Sequence, residues 1–167
     1  MTDYLVQLGH RRIGFIVGHP DHGQSHDRLA GYRRALKRNG ITFEDDLVEQ
    51  GQFEYESGYA GARNLLSSNR PPTAIFASND PMAMGVLSVA HAMGVDVPRE
   101  LSVAGFDDSP LARHAWPRLT TVRQPIAEVA ERYGAEVPFS DTLNRNTKLG
   151  YILWLVAFTT GMILAYV

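Results

Sequence analysis

A regular alternation of short apolar segments with longer amphipathic ones is the feature that most constrains the fold of this chain. Several apolar segments are hydrophobic at successive positions, which is typical of strands covered on both faces. The amphipathic segments carry apolar residues at helical spacing, as in Leu29, Tyr32 and Leu36. This pattern predicts an α/β fold: a doubly wound parallel sheet with right-handed crossovers. The predicted strands are residues 12–17, 47–50, 73–78, 101–106 and 119–123.

Local signals mark the ends of the predicted helices. Ser25 predicts the cap of the first long helix, and Gly40 ends it. Asp80, followed by a proline, predicts the cap of the helix after the third strand, and Gly94 closes that helix. The apolar face of the helix after the third strand is predicted to comprise Val86, Val89 and Met93.

Length and composition limit the class of protein. A chain of 167 residues is long enough for one domain with a hydrophobic core. Sixteen basic and eighteen acidic side chains give a net charge of −2, which does not indicate a nucleic-acid-binding surface. The sequence has no cysteine, which excludes disulfides and a thiolate metal site. The N-terminal residues lack the pattern of a secretory signal.

The C-terminal segment differs in composition from the rest of the chain. Residues 149–167 contain no charged side chain, and Arg145 and Lys148 lie just before them. About 20 apolar residues suffice for a helix to cross a bilayer. A hydrophobic C-terminal helix is therefore expected at 149–167, and the basic flank would keep the preceding domain on the cytoplasmic side. A buried helix and a tail unrelated to the rest of the protein are the alternatives.

Polar residues are concentrated where the predicted strands end, which is where open parallel sheets bind ligands. Phe53 follows the second strand, Asn79 the third and Asp107 the fourth. Gln24 follows the first strand, and Arg28 lies in the first turn of the next helix. Carboxylates and amides engage hydroxyls, arginine donates several hydrogen bonds, and an aromatic face covers a ring. This set predicts a polyhydroxylated small-molecule ligand and indicates no catalytic mechanism.

The same residues allow other interpretations. Asp80 is expected to act as a helix cap rather than as a ligand-binding group, and Asn79 suits a turn equally well. The Asp107–Asp108 pair resembles a magnesium site but lacks further oxygen donors. Three nearby imidazoles are expected to be solvated rather than to bind zinc, so no metal and no cofactor is predicted. These imidazoles belong to His19, His22 and His26.

Several enzyme signatures are absent from the sequence. It contains no Gly-x-Ser-x-Gly elbow, no phosphate-binding loop ending in Gly-Lys-Ser/Thr and no His-Glu-x-x-His. The expected class is therefore a binding module and not an enzyme.

Ordered sequence blocks carry a resemblance to a known family. They read LGHRRIGF (8–15), SHDRLAGY (25–32), PTAIFASND (72–80), VPRELSVAGFDD (97–108) and LTTVRQP (119–125). Over roughly residues 1–135 the chain resembles the C-terminal part of the effector-binding domain of LacI/GalR-type transcriptional regulators. That domain has the fold of the sugar-binding periplasmic proteins, so the resemblance implies a Rossmann-like subdomain of a periplasmic-binding-protein-like fold.

The resemblance also implies roles for particular residues. In the family, the residues matching Arg28, Asn79 and Asp107 hydrogen-bond the effector, and an aromatic residue at the place of Phe53 stacks on it. Effector occupancy shifts the population of two states and thereby sets the affinity for DNA. Family members form homodimers through the helix after Asn79 and the stretch after residue 108. The matching candidates here are Met84, Leu87, Leu111 and Trp116, and the first two fit a core role equally well.

The expected organisation is residues 1–124 as the C-terminal subdomain, 125–136 as a helix that would dock on an N-terminal subdomain, and 137–167 as an unrelated tail. The resemblance implies a truncated regulator with half a cleft, which would bind sugars weakly and reach operator DNA only through a missing N-terminal domain. The expected location is cytoplasmic, with a membrane tether only if 149–167 is genuine. The alternatives are a sugar-binding component of a transport system and a membrane-anchored enzyme using Asp80, Asp107 and Asp108 around magnesium.

Overall fold

Five parallel strands form one sheet in the order 2-1-3-4-5. The computed structural model describes residues 1–125 and residue 128. Its strands are β1 (Ile13–Val17), β2 (Val48–Gln50), β3 (Ala74–Ala77), β4 (Ser102–Asp107) and β5 (Thr120–Arg123). All five strand predictions and the parallel α/β fold are confirmed.

Helices connect the strands. They are α1 (Thr2–Gln7), α2 (Gly23–Arg38), α3 (Tyr55–Leu66), α4 (Asp80–Ala92) and α5 (Pro110–His114), with a 3-10 turn at Asp45–Leu47. A first compact unit comprises Met1–Gln124, and Pro125–Val167 form a second unit. The expectations for 125–136, 137–167 and the membrane-crossing segment 149–167 concern residues that, apart from 125 and 128, lie outside the described part of the chain. Within that part, no helix combines the length and the apolar character that crossing a bilayer requires.

Alternate residues of the strands enter two separate cores. Phe15 points to one face of the sheet, where its ring stacks on Tyr32 of α2 with 4.9 Å between ring centres. The neighbouring Ile16 points to the other face and packs with Leu65 of α3 and Met82 of α4. Since both faces are covered, the central strands read as continuous apolar runs, as the sequence pattern predicted.

Close packing of α3 on α4 positions the segments that precede them. A Cβ at Gly58 would overlap the backbone of Met82, and a Cβ at Gly85 would overlap the Tyr55 carbonyl oxygen. The two helices therefore touch backbone to backbone. This contact brings the start of α4 next to the loop that enters α3, so the polar residues of both segments meet at the carboxyl edge of the sheet.

Four local predictions are wrong. Arg28 lies in the second turn of α2 rather than in the first, because the helix begins at Gly23. Ser25 does not cap α2, which begins at Gly23 with His22 as its cap; the Ser25 hydroxyl is buried and donates to the His19 carbonyl oxygen at 2.6 Å. Asp80 does not cap α4, because Asn79 takes that position. Met93 does not join the apolar face of α4, since it follows the last turn of the helix and is exposed.

Candidate functional site

Arg28 lies at the centre of the carboxyl edge of the sheet. From the second turn of α2, its Nη1 donates to the carbonyl oxygen of Ser78 at 2.5 Å, just beyond β3. Its guanidinium carbon lies 4.0 Å from the ring centre of Phe106, and Nη2 lies 4.0 Å from Asp107 Oδ1. Burial lowers the pKa of this arginine, and the nearby carboxylate opposes that shift. Arginine still remains charged, so the edge presents a partly buried cation, and within residues 1–125 only its Nη1 donates a hydrogen bond.

Phe53 forms an aromatic surface beside Arg28. Its ring occupies the space next to Gly18, where a Cβ would overlap it, and lies 5.6 Å from the guanidinium carbon of Arg28. The His22 ring stacks near it, with 5.6 Å between ring centres. Phe53 has a φ of 65°, which is uncommon for a bulky residue and requires the surrounding contacts to hold it.

Asn79 supplies one of those contacts. Its Nδ2 donates to the Phe53 carbonyl oxygen at 2.8 Å, and its Oδ1 accepts from the Met82 backbone N–H at 3.0 Å as the cap of α4. The carboxamide thus makes two hydrogen bonds within the protein. With respect to the described part of the chain, one N–H and one oxygen lone pair of Asn79 remain for a ligand. Asn79 therefore has the turn role that the sequence left open and still lies at the site.

Asp107, the last residue of β4, and Asp108, which follows it, both have positive φ angles, of 117° and 55°. The Gln124 side-chain amide donates to Asp107 Oδ1. Arg123 Nε donates to Asp108 Oδ2 at 2.6 Å, and this hydrogen bond is the main reason why the pKa of Asp108 is lowered. The two neighbouring carboxylates therefore have different partners, and Asp107 is the one that faces Arg28.

Asp80 is fully buried beneath this loop. Its carboxylate accepts from the Ser109 backbone N–H at 2.7 Å and from the Thr121 hydroxyl at 2.5 Å. A Cβ at Gly105 would overlap Asp80 Oδ1, so only glycine leaves room for the carboxylate there. Both oxygens of Asp80 have protein donors. This arrangement does not support the alternative in which Asp80, Asp107 and Asp108 surround magnesium.

Two of the three histidines near the start of α2 are in ring contact. The rings of His19 and His22 lie with 4.9 Å between their centres, and the His22 ring also stacks near Phe53. Among residues 1–125 and residue 128, no group of three or more histidine, aspartate or glutamate side chains is placed to hold a metal ion.

The structure brings four of the five predicted site residues together: Arg28, Phe53, Asn79 and Asp107 are linked through the contacts above. Gln24 is separate. It is exposed at the start of α2, where it lines an open groove of about 560 Å³ with His22 and Asp27. A second groove, of about 240 Å³, reaches Arg28 and the Phe106 ring.

Sequence reasoning missed three contributors to this edge: Ser78, Phe106 and Gln124. Ser78 contributes a backbone carbonyl, which no side-chain pattern reveals. Phe106 resembles any apolar strand residue. Gln124 could have been found, because it follows the fifth strand directly and obeys the same rule that selected the other candidates.

The strand order reverses between β1 and β3, and the polar edge lies across this switch point. In open α/β sheets this is where small ligands bind. The fold and the edge together define the class of small-molecule-binding α/β domains. The chain belongs to the periplasmic binding protein-like domain family, whose model matches residues 2–136.

Similar proteins are transcriptional repressors. The chain is 42% identical over 128 residues to the HTH-type transcriptional repressor CytR of Escherichia coli (strain K12), and 43% identical over 128 residues to the repressor PurR of Salmonella heidelberg (strain SL476). Each match covers 77% of this chain and 38% of the relative. The chain thus spans well under half the length of these relatives.

Solved structures give the same result. The Escherichia coli transcriptional repressor ascG matches with a TM-score of 0.75 and 38% identity, over 80% of this chain and 49% of that one. The regulator CelR in complex with cellobiose matches with a TM-score of 0.72 and 38% identity, over 81% of this chain and 44% of that one. The resemblance to the effector-binding domain of LacI/GalR-type regulators is confirmed.

Proposed function

We propose that this chain forms part of the effector-binding domain of a LacI/GalR-type transcriptional regulator and that its carboxyl edge binds a sugar-like small molecule. The observation that carries the proposal is the convergence of Arg28, Phe53 and Asp107 at the switch point of the sheet. These groups are a cation with several donors, an aromatic face and a carboxylate. A sugar offers a partner for each of them: hydroxyl oxygens, a C–H face and hydroxyl hydrogens.

We expect the site to bind its ligand without catalysing a reaction. Arg28 would donate to ligand oxygens, Asp107 would accept from a hydroxyl, and Asn79 would use its remaining N–H. Phe53, with His22 beside it, would cover the apolar face of the ring. The named relatives are repressors rather than enzymes or transport proteins, which favours a regulator over the transport alternative.

The regulatory role follows from family membership. Ligand occupancy would shift the equilibrium between two conformations of the whole regulator and so change its affinity for operator DNA. We assign the contact with operator DNA to other parts of such a regulator, since residues 1–125 provide the ligand-binding edge. Because a regulator of this kind acts on DNA, we propose a cytoplasmic location.

A homodimer is part of the proposal. Trp116 is 96% exposed and Leu111 is 51% exposed, although both are large and apolar. Trp116 lines a groove of about 250 Å³ together with Leu87, which is half-buried. Large exposed apolar side chains next to a groove are typical of protein interfaces. Met84, also half-buried, packs against the core from the same helix as Leu87.

A titration followed by nuclear magnetic resonance tests the ligand site. The full chain is titrated with a panel of mono- and disaccharides, cellobiose included, up to millimolar concentrations, because an open edge buries little of a ligand and binds it weakly. We expect amide shifts at residues 28, 53, 79 and 107. Arg28→Ala should abolish them, while Arg34→Ala, an exposed arginine on the same helix, should not. No shift with any sugar, or shifts that survive Arg28→Ala, would contradict the proposal.

A further inference from the structure

Asp107 is held in place by a residue that none of the site predictions included. Gln124 donates a side-chain amide hydrogen to Asp107 Oδ1, the oxygen that also lies nearest Arg28. Within the described residues this is the hydrogen bond that the Asp107 carboxylate accepts, and Oδ2 accepts none. One oxygen is therefore fixed by the protein, and the other can accept from a ligand.

The loop around Asp107 needs such support. Two consecutive residues, Asp107 and Asp108, have positive φ, a conformation that costs free energy in residues with side chains. Both residues are held by hydrogen bonds to side chains of β5 or to the residue that directly follows this strand. The Asp108 backbone N–H donates to the Thr121 hydroxyl at 3.3 Å, and Arg123 Nε donates to the Asp108 carboxylate at 2.6 Å. Gln124 adds a third contact, a hydrogen bond to the Asp107 carboxylate.

The chemistry of the donor also matters. A glutamine donates a hydrogen bond to Asp107 without adding a second positive charge beside Arg28, which already lies 4.0 Å from the same oxygen. A lysine or arginine at this position would instead form an ion pair with the carboxylate and compete with the ligand. The pairing of a neutral donor with Asp107 thus suits an uncharged, hydroxylated ligand.

We infer that Gln124 is a positioning residue of the ligand site: it fixes the side-chain rotamer of Asp107 with Oδ1 toward Arg28 and Oδ2 open to a ligand hydroxyl. This inference rests on the proposed function. It assigns the edge strand β5 a part in ligand recognition, although Gln124 itself need not touch the ligand.

A measurement on the ligand-free full chain tests the contact directly. Three-bond couplings between Hα and Hβ of Asp107 should report a single χ1 rotamer in the parent protein. Gln124→Ala should give couplings averaged over several rotamers. The control Gln7→Ala removes an exposed glutamine from α1 and should leave them unchanged. Asp107 couplings that are the same in Gln124→Ala as in the parent protein would overturn the inference.

Ligand titration supplies the second arm. With cellobiose as the first probe, Gln124→Ala should weaken binding about fivefold, as expected for the loss of one hydrogen bond. Gln124→Glu should weaken it further, because a carboxylate cannot donate and repels Asp107. In an Asp107→Ala background, which removes the acceptor, Gln124→Ala should have no additional effect, since Gln124 acts through the Asp107 carboxylate. An equal loss in that background would also overturn the inference.

The two hypotheses fail in different ways. If no sugar binds the parent protein, the proposed function fails, while the rotamer measurement still decides whether Gln124 fixes Asp107. If sugars bind and Arg28→Ala abolishes binding but Gln124→Ala changes neither the rotamer nor the affinity, only the inference about Gln124 fails.

Discussion

The Thr121 hydroxyl donates to the fully buried carboxylate of Asp80 at 2.5 Å, which joins the start of α4 to the edge strand β5. The two residues are 41 positions apart, and β4 runs between the elements that carry them. The same carboxylate accepts from the Ser109 backbone N–H, so it also anchors the loop that presents Asp107. The buried Asp80 carboxylate therefore fixes the positions of the segments that carry the candidate site.

Removing this carboxylate should destabilise the fold. We expect Asp80→Ala to lower the free energy of unfolding by about 3 kcal/mol, because two partly buried donors, the Ser109 N–H and the Thr121 hydroxyl, lose a charged acceptor. Urea denaturation followed by circular dichroism measures the loss. Asp27→Ala removes an exposed carboxylate from α2 and should change stability by less than about 0.5 kcal/mol. Equal stabilities of the two variants would show that Asp80 has no anchoring role.

Gly105 should tolerate no side chain. A Cβ there would overlap Asp80 Oδ1 and lie 3.1 Å from Leu119 Cδ2, so Gly105→Ala should cost about 1–3 kcal/mol through overpacking. Gly23 in α2 has open space around it, and Gly23→Ala should be neutral or slightly stabilising. Thermal unfolding of the two variants makes the comparison. A Gly105→Ala variant as stable as Gly23→Ala would mean that the packing around Asp80 is loose.

His10 should make stability depend on pH. Its Nδ1 and Nε2 lie 2.9 Å from the hydroxyls of Thr73 and Ser102, and burial lowers the pKa of its imidazole below the usual 6.5. Folding therefore favours the neutral ring. Its contribution to stability is complete above pH 6.5 and is lost as the pH falls through the lower pKa of the folded state.

Urea denaturation at a series of pH values measures this dependence. His10→Gln should remove part of the decline in stability on the acid side of neutrality, and His26→Gln, which replaces an exposed histidine, should not. The same decline in His10→Gln as in the parent protein would assign it to other groups.

The exposed tryptophan should contribute to self-association. Since Trp116 is almost fully exposed beside an apolar groove, Trp116→Ser should shift a dimer toward the monomer in sedimentation velocity experiments. Tyr4→Ser, which removes another exposed aromatic side chain, should leave the distribution unchanged. A parent chain that stays monomeric at high concentration, or a Trp116→Ser variant that stays dimeric, would contradict this assignment.

The strands and the carboxyl-edge residues could be predicted because they rest on strong local patterns. Runs such as 74–77 are apolar at every position, and a parallel sheet places all the strand ends at one edge. The resemblance selected Arg28, Asn79 and Asp107 independently, and the structure places them close together.

The residue that caps α4 could not be predicted from local patterns. Asn79 and Asp80 are adjacent, and both residue types cap helices well, so propensity alone does not choose between them. The choice depends on tertiary partners. The Asp80 carboxylate accepts hydrogen bonds from Ser109 and Thr121 inside the protein, so Asn79 caps the helix. The five-residue helix α5 was missed because so short a segment carries little periodicity.

The sequence also could not tell which residues beyond the strand ends point into the site. Gln24 follows β1 as Phe53 follows β2, yet its side chain is exposed at the start of α2 and takes no part in the contacts described among Arg28, Phe53, Asn79 and Asp107. Phe53 is turned inward by its positive φ and by the missing side chain at Gly18. Such local geometry has no signature in spacing or composition.

The most direct test of the central claim is the position of a bound sugar. Intermolecular nuclear Overhauser effects, measured on the full chain with the sugar that binds best, report which protons lie close to the ligand. If the carboxyl edge is the ligand site, the sugar C–H groups contact the Phe53 ring and Arg28→Ala weakens binding at least tenfold. Contacts that fall elsewhere, such as on the groove lined by Arg33 and Phe43 at the far end of α2, would contradict the central claim.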